Sequence, residues 1–237
     1  MNNRNIVAIV PAAGSGQRMQ STLPKQYIKI GQSTILEYTL QKLLSLPLIS
    51  QIIVVISRDD RYFSTLSVAN HPKITLTYGG DTRSDSVFAG LLLADDDSWA
   101  LVHDAARPCV SHHDIEQLIK TVFAQNQGGI LATKVTDTIK KSLDHSQLPL
   151  PQIAQTCDRQ QLWAAATPQM FKVKLLKECI HKAKLQKIAL TDEASAVEFC
   201  GGHPLLVECQ RDNIKVTQKE DIPLAKLYLY EQGYIEI

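Results

Sequence analysis

Two positive side chains, Arg18 and Lys25, fall within one loop whose other leading residues have almost no bulk. The loop reads Pro11-Ala-Ala-Gly-Ser-Gly-Gln-Arg-Met19 and continues to Leu23-Pro-Lys-Gln-Tyr27. At Ala12, Ala13, Gly14, Ser15 and Gly16 a ligand can approach the backbone closely, and free N–H groups can face an anion. Small backbone followed by two fixed positive charges suits a triphosphate that loses pyrophosphate. Asp104 lies just beyond the apolar run Trp99–Val102. One carboxylate plus phosphate oxygens and water is the usual way a protein holds Mg²⁺. A cap or a turn carboxylate is the alternative for an isolated Asp. Asp212 is a candidate second ligand. Arg107 orients the loop after Asp104, contacts a phosphate, or pairs with a carboxylate. Gly80, Asp81 and Ser86 can receive the edge of a base, or simply form a turn and a capped helix.

Other chemistries are disfavoured. The dinucleotide fingerprint needs a third glycine where this loop has Met19. The phosphate loop of ATPases needs Gly-Lys-Ser/Thr, which is absent. No Ser-His-Asp or Cys-His nucleophile set is evident. His112 and His113 are adjacent, so a helix cannot aim both at one metal. Thr191-Asp-Glu reads as a helix start with Thr as cap, and its two acids speak against that end binding phosphate unaided. Lys plus Arg total 25 against 24 Asp plus Glu, a net charge of +1. That balance offers no general nucleic-acid or anionic-membrane surface. No stretch approaches the ~20 apolar residues of a membrane span. The five cysteines form no Cys-x-x-Cys pair, and without a secretion signal they are expected as reduced thiols in a cytoplasmic protein.

The elements that must position these groups alternate along the chain. Ile6–Val10 is an apolar strand ended by Pro11. Ser33-Thr34 caps a helix over 35–46, and Gln51–Ile56 is a second strand. A short helix is expected at 59–69 and a third strand at 73–78. Ser84 is the expected cap of a helix over 86–94. A strand at 99–102, a helix over 115–127 capped by Ser111, and a strand at 128–135 follow. Residues 136–159 alternate around a polar turn and read as an extended hairpin arm. Thr167–Phe171 precedes a helix over 173–184, and another runs from about 191 to 199. Short strands at 205–208 and 213–216 and a helix over 222–231 close the chain. This alternation predicts an α/β fold, a mostly parallel twisted sheet with helices on both faces. The loops at 11–18, 79–86 and 103–108 each follow a strand, so they gather at the carboxyl edge where such sheets bind ligands. No repeat or linker divides the 237 residues.

Taken together, PAAGSGQRM (11–19), LPKQY (23–27), GGDTRSDSV (79–87), VHDAARP (102–108), DRQQLW (158–163), ATPQMF (166–171), TDEASAVE (191–198) and DNIKVT (212–217) form an ordered set. It resembles the 2-C-methyl-D-erythritol 4-phosphate cytidylyltransferases of the non-mevalonate isoprenoid pathway, and the blocks cover nearly the whole chain. The resemblance implies a Rossmann-like nucleotidyltransferase fold in a single domain, with a projecting β-hairpin arm at about 136–159. It implies a homodimer whose arms interlock. CTP would be held by Ala12, Ala13, Gly14, Gly80, Asp81 and Ser86, with Asp104 on Mg²⁺. Arg18 and Lys25 would stabilise the triphosphate in the transition state. Arg159 and Lys215 would position the sugar phosphate, aided by Thr138, Thr167 and Thr191, with some of these groups supplied by the partner's arm. A cytidylyltransferase for another polyol phosphate, such as ribitol 5-phosphate, looks similar in the same blocks. A non-catalytic nucleotide-binding regulator and a nicotinamide-binding oxidoreductase are the readings from other classes.

Overall fold

The computed structural model describes residues 5–14, 23–143 and 150–236. The eleven strands among the described residues are β1 (Ile6–Pro11), β2 (Lys29–Ile30), β3 (Ser33–Thr34), β4 (Ile49–Ile56), β5 (Ile74–Tyr78), β6 (Trp99–Val102), β7 (Gly129–Lys134), β8 (Lys140–Ser142), β9 (Ile153–Thr156), β10 (Trp163–Lys172) and β11 (Leu205–Glu208). The six α-helices among the described residues are α1 (Ile35–Leu44), α2 (Arg83–Leu91), α3 (His112–Gln125), α4 (Val173–Leu185), α5 (Glu193–Phe199) and α6 (Asp221–Glu231).

Seven strands form the main sheet in the order β11-β7-β10-β6-β1-β4-β5. Every neighbouring pair is parallel except the two that β10 makes with β6 and β7. Side chains alternate between the faces. On β1, Ile6, Ala8 and Val10 join one apolar cluster, and α1 and α3 cover it with Leu36, Leu40, Ile115 and Leu118. Val7 and Ile9 join the other, where α2, α4 and α5 supply Leu91, Leu176 and Val197. Each such Val, Leu or Ile side chain, fully buried, contributes roughly 1.5–3 kcal/mol relative to exposure. A third cluster packs α6, through Ala225 and Leu229, against Ile35 and Tyr38 of α1.

The chain places β4 and β5 on one side of β1 and then β6 on the other. The strand order therefore reverses between β1 and β6. The loops leaving their carboxyl ends diverge there and leave a crevice.

Caps explain the helix starts. Thr34 accepts from the Glu37 amide while Glu37 reaches back to the Thr34 amide. Glu37 also binds the amide and hydroxyl of Ser67, tying α1 to the next connection. Asn126 ends α3 in the left-handed region, with φ of 47°.

Several expectations are corrected. Residues 59–69 form no α-helix, only one 3-10 turn at Phe63–Thr65. Asp60 takes the amides of Tyr62 and Phe63, and Glu37 takes Ser67, so side chains outcompete the helical ladder. Thr82 rather than Ser84 caps α2, and Asp192 rather than Thr191 caps α5. Residues 213–216 form no strand: Arg107 takes the Asn213 carbonyl and the Ala106 carbonyl takes the Val216 amide. The segment around Pro168, expected only to precede a helix, is the inner strand β10. A register shift between Ala165 and Gln169 accommodates the proline, which has no amide to donate to the ladder. The expected arm is present as the antiparallel pair β8–β9, exposed along both strands.

Gly90 lets α2 sit down on the sheet. A Cβ there would lie 2.7 Å from Ile9 Cγ2 and 3.1 Å from Val55 Cγ2. Both neighbours are β-branched and stiff. Gly90→Ala gains up to ~1 kcal/mol in helix propensity. Overpacking costs ~1–3 kcal/mol and should win. Urea unfolding should show a lower midpoint, and a midpoint at or above wild type would refute the close approach.

Candidate active site

A cavity of about 380 Å³ opens where the β1, β5 and β6 loops meet. Ala12, Ala13 and Gly14 line it from the first loop, and Gly80, Asp81 and Ser86 from the start of α2. Asp104 enters from the end of β6, and Lys25 and Lys215 bring cations. A second opening of about 250 Å³ shares Arg83, Asp104 and Lys215 with the first and adds Arg107, Thr167 and Thr191. The shared residues make the two a continuous site.

Local structure prepares each wall. Gln26 donates from Nε2 to the Ala12 carbonyl at 2.6 Å and to that of Gly14 at 3.3 Å. It thereby engages two oxygens that would otherwise repel an anion. The Ala12 amide donates to Val55 at 2.7 Å, anchoring the loop to β4. Gly79 brings the first and second loops together. A Cβ there would meet Ser86 Oγ at 2.5 Å and Ala13 Cβ at 2.6 Å. Lys25 Nζ donates to the Val216 carbonyl at 3.3 Å, so one cation of the site is also a tie to the 213–217 segment.

Asp104 is the electrostatic centre. Its Oδ1 accepts from Arg83 Nε at 2.9 Å, and its Oδ2 lies 2.7 Å from Lys215 Nζ and 3.8 Å from Arg107 Nε. Burial pushes its carboxyl up, but Arg83, Lys215 and Arg107 outweigh burial and hold it well below the usual carboxylate range. The fork of Arg83 faces Glu193, with Nη1 to Oε1 at 2.7 Å and Nη2 to Oε2 at 3.1 Å. Burial alone would lower the Arg83 guanidinium, but the two carboxylates outweigh it and keep it charged.

The Asp104 amide donates to Thr167 Oγ1 at 3.0 Å. Thr167 Oγ1 lies 2.9 Å from His103 Nδ1, and His103 Nε2 lies 3.1 Å from the Arg107 carbonyl. A carbonyl only accepts, so Nε2 carries hydrogen. Burial lowers the His103 imidazole to about 4, so the ring is neutral and Nδ1 accepts from the Thr167 hydroxyl. Thr167 thus holds Asp104 through the main chain.

The remaining expected residues are placed as follows. Arg18 lies outside the described residues. Asp212 is not brought to Asp104: it lines neither opening, and its Oδ2 accepts from Gln232 at 2.8 Å. Arg107 both orients its loop, donating to the Asn213 carbonyl at 2.6 Å, and faces Asp104. Thr138 and Arg159 belong to the arm and line neither opening; Arg159 donates to the Thr136 carbonyl. Sequence reasoning missed Arg83, Glu193, Gln26 and His103. All four lie inside the blocks quoted above, but nothing local distinguishes them from capping or packing residues.

Among the described residues no three His, Cys, Asp or Glu side chains gather to hold a metal. The donor set does not fit a metal caged by protein. A single ionised carboxylate on a triphosphate-sized cavity does fit Mg²⁺ held chiefly by phosphate oxygens.

The chain matches the family model for IspD, 2-C-methyl-D-erythritol 4-phosphate cytidylyltransferase, over residues 6–231. It is 49% identical over 227 residues to the enzyme of that name from Yersinia pseudotuberculosis, covering 96% of this chain and 92% of the relative. It is 49% identical over 227 residues to that of Photobacterium profundum, covering 95% and 97%. The crystal structure of the Francisella tularensis 2-C-methyl-D-erythritol 4-phosphate cytidylyltransferase superposes with a TM-score of 0.80 at 36% identity, covering 95% of this chain and 100% of that one. The chain belongs to the 2-C-methyl-D-erythritol 4-phosphate cytidylyltransferase family.

Proposed function

We propose that this chain transfers CMP from CTP to 2-C-methyl-D-erythritol 4-phosphate, giving 4-diphosphocytidyl-2-C-methyl-D-erythritol and pyrophosphate. The observation that carries this reading is one site joining a small-residue loop, Lys25, Asp104 and Lys215 at the switch point of the sheet. CTP lies along Ala12, Ala13 and Gly14, with its base toward Gly80, Asp81 and Ser86. A phosphate monoester has a second pKa of about 6, so at pH 7 the acceptor is mostly dianionic and needs no strong base. Its oxygen forms a bond to the α-phosphorus of CTP as the bond to pyrophosphate breaks. The obstacle is repulsion between two anions and charge building on the leaving group. Lys25 faces that charge and Lys215 the acceptor phosphate, and Arg18 is proposed, on the family resemblance alone, to add a second positive charge at the leaving group. Asp104 would hold Mg²⁺, which supplies further neutralisation of the phosphates when bound.

The chain is proposed to act as a homodimer. Ile153 on the arm is 63% exposed and Leu150 is 72% exposed, and an isolated two-stranded hairpin is at best marginally stable. An arm docked on a second copy would cover these side chains. It would also carry Thr138 and Arg159 to the partner's acceptor subsite.

Pyrophosphate release from CTP and Mg²⁺ should depend on methylerythritol phosphate and be much slower with ribitol phosphate at equal concentration. Preference for ribitol phosphate would reassign the acceptor, and no release with either would overturn the reading. Lys25→Ala should lower kcat far more than it raises KM for CTP. Arg159→Ala should raise KM for the sugar phosphate. If Arg159 acts across the dimer, an equal mixture of the two variants, dissociated, reassembled and assayed at acceptor well below the raised KM, should regain about a quarter of wild-type activity. No recovery would place Arg159 in its own chain's site.

The acid side of the rate profile follows from the charges. Asp104 stays ionised well below the usual range and His103 stays neutral above about 4. Falling pH should therefore act first on the acceptor, whose protonation removes the dianion. The profile should lose activity with an apparent pKa of about 6. It should move with the pKa of a substituted acceptor phosphate, and an invariant limb would assign it to the protein instead.

A further inference from the structure

Arg83 borders both openings of the site, and an arginine there reads at first as a phosphate clamp. Each of its three nitrogens already donates to a carboxylate. Nη1 and Nη2 hold the two oxygens of Glu193, and Nε holds Asp104 Oδ1. For Arg83 to turn to a phosphate, Glu193 would be left as an unpaired carboxylate that is only 2% exposed. Burying a charge without a partner is strongly unfavourable. A second carboxylate close to a site for two polyanions also works against binding unless it has a purpose there.

The surroundings show that purpose. Glu193 is the first residue of α5, and Arg83 is the first of α2. Asp192 caps α5 and accepts from Gln169 Nε2 at 2.9 Å, while Gln169 Oε1 accepts from the Ala194 amide at 2.9 Å. The helix start that carries Glu193 is thus bolted to β10 on both sides. A planar guanidinium gripped at two points by a fixed carboxylate has little freedom. Its Nε then addresses Oδ1 of Asp104, and Oδ2 is left for Lys215.

We propose that Glu193 and Arg83 are positioning residues that set the orientation of the Asp104 carboxylate, with Glu193 acting through the guanidinium and Arg83 taking no part in phosphate binding. The pair fixes which oxygen of Asp104 turns to Lys215 and the acceptor side. It also withholds one cation from the anions, so that Lys25 and Lys215 face them without competition. This inference rests on the transfer reaction proposed above and deepens it.

The test separates positioning from simple scaffolding. In Glu193→Gln the amide keeps one acceptor but loses the charge and the second oxygen. Its kcat for pyrophosphate release should fall about 10–100-fold, the range for partners that orient a ligating group. KM for CTP should stay level or decrease, because the loosened guanidinium becomes available to phosphate. The double variant Arg83→Met/Glu193→Leu removes both charges and fills similar volume, a replacement that buried ion pairs often tolerate. It should recover most of any melting temperature lost by Glu193→Gln while its kcat stays low. Recovery of wild-type turnover in the double variant, or a higher KM for CTP with unchanged kcat in Glu193→Gln, would overturn the proposal. If the double variant does not fold, Glu193→Asp decides, since it keeps the charge but shortens the reach. A several-fold lower kcat supports positioning, and an unchanged one refutes it. Wild-type enzyme assayed alongside distinguishes this from failure of the functional reading, which would leave wild type inactive too.

Discussion

The site depends on one buried carboxylate surrounded by cations. Asp104 would be costly to ionise where it lies, and it is ionised because Arg83, Lys215 and Arg107 approach it from three parts of the chain. The same attraction works in reverse. Each cation is fixed near the others only because a negative charge stands among them. Remove that charge and like charges would be left beside one another in a partly buried pocket. The end of β6, the start of α2 and the 213–217 segment are therefore joined by charge as well as by packing. Conventional hydrophobic layers build the sheet beneath, and this ionic knot closes its upper edge.

That knot is assembled from distant stretches. Thr167 reaches Asp104 from β10, and Glu193 reaches Arg83 from α5. Both depend on β10 running antiparallel between β6 and β7. In an all-parallel sheet that position would present a strand end and a loop to the site. Here the middle of a ten-residue strand passes by it. One wall is thus built from a strand paired on either side of its proline step, while the facing wall is made of loops. Strand support on the Asp104 side and small, close-approaching backbone on the other suit the different demands that the proposed reaction makes, orienting a charge and wrapping a triphosphate.

Much of this was legible in the residues. The apolar runs of β1, β4 and β6, the caps Thr34 and Ser111, and the gathering of three loops at one edge all follow from local patterns. The cavity-lining residues of those loops are small or polar types placed just after strands, which is why they could be named. What could not be read locally depends on partners far apart in sequence. Glu37 takes the Ser67 amide from thirty positions away, and Asp60, itself held by Tyr27, takes the amides of Tyr62 and Phe63, so an otherwise plausible helix at 59–69 does not form. Pro168 argues against an inner strand until the register shift beside it is seen. Arg83 and Glu193 each look like ordinary first-turn residues, and their bond spans 110 positions. Asp212 carried the right chemistry for a metal but is claimed by Gln232 from the last helix.

The arm has a consequence for how such an enzyme can diversify. β7 and β10 are antiparallel neighbours, and their pairing at Lys134 and Trp163 is continued by the bond from Val135 to Leu162. The arm is therefore the elongated end of a hairpin whose base is locked into the sheet. Adding or removing residues in matched pairs at its tip preserves which face every remaining side chain presents. Its length and tip can drift without renegotiating the core beneath. On the proposed placement of Thr138 and Arg159, part of the acceptor subsite would then sit on a module free of the constraints that hold the sheet still.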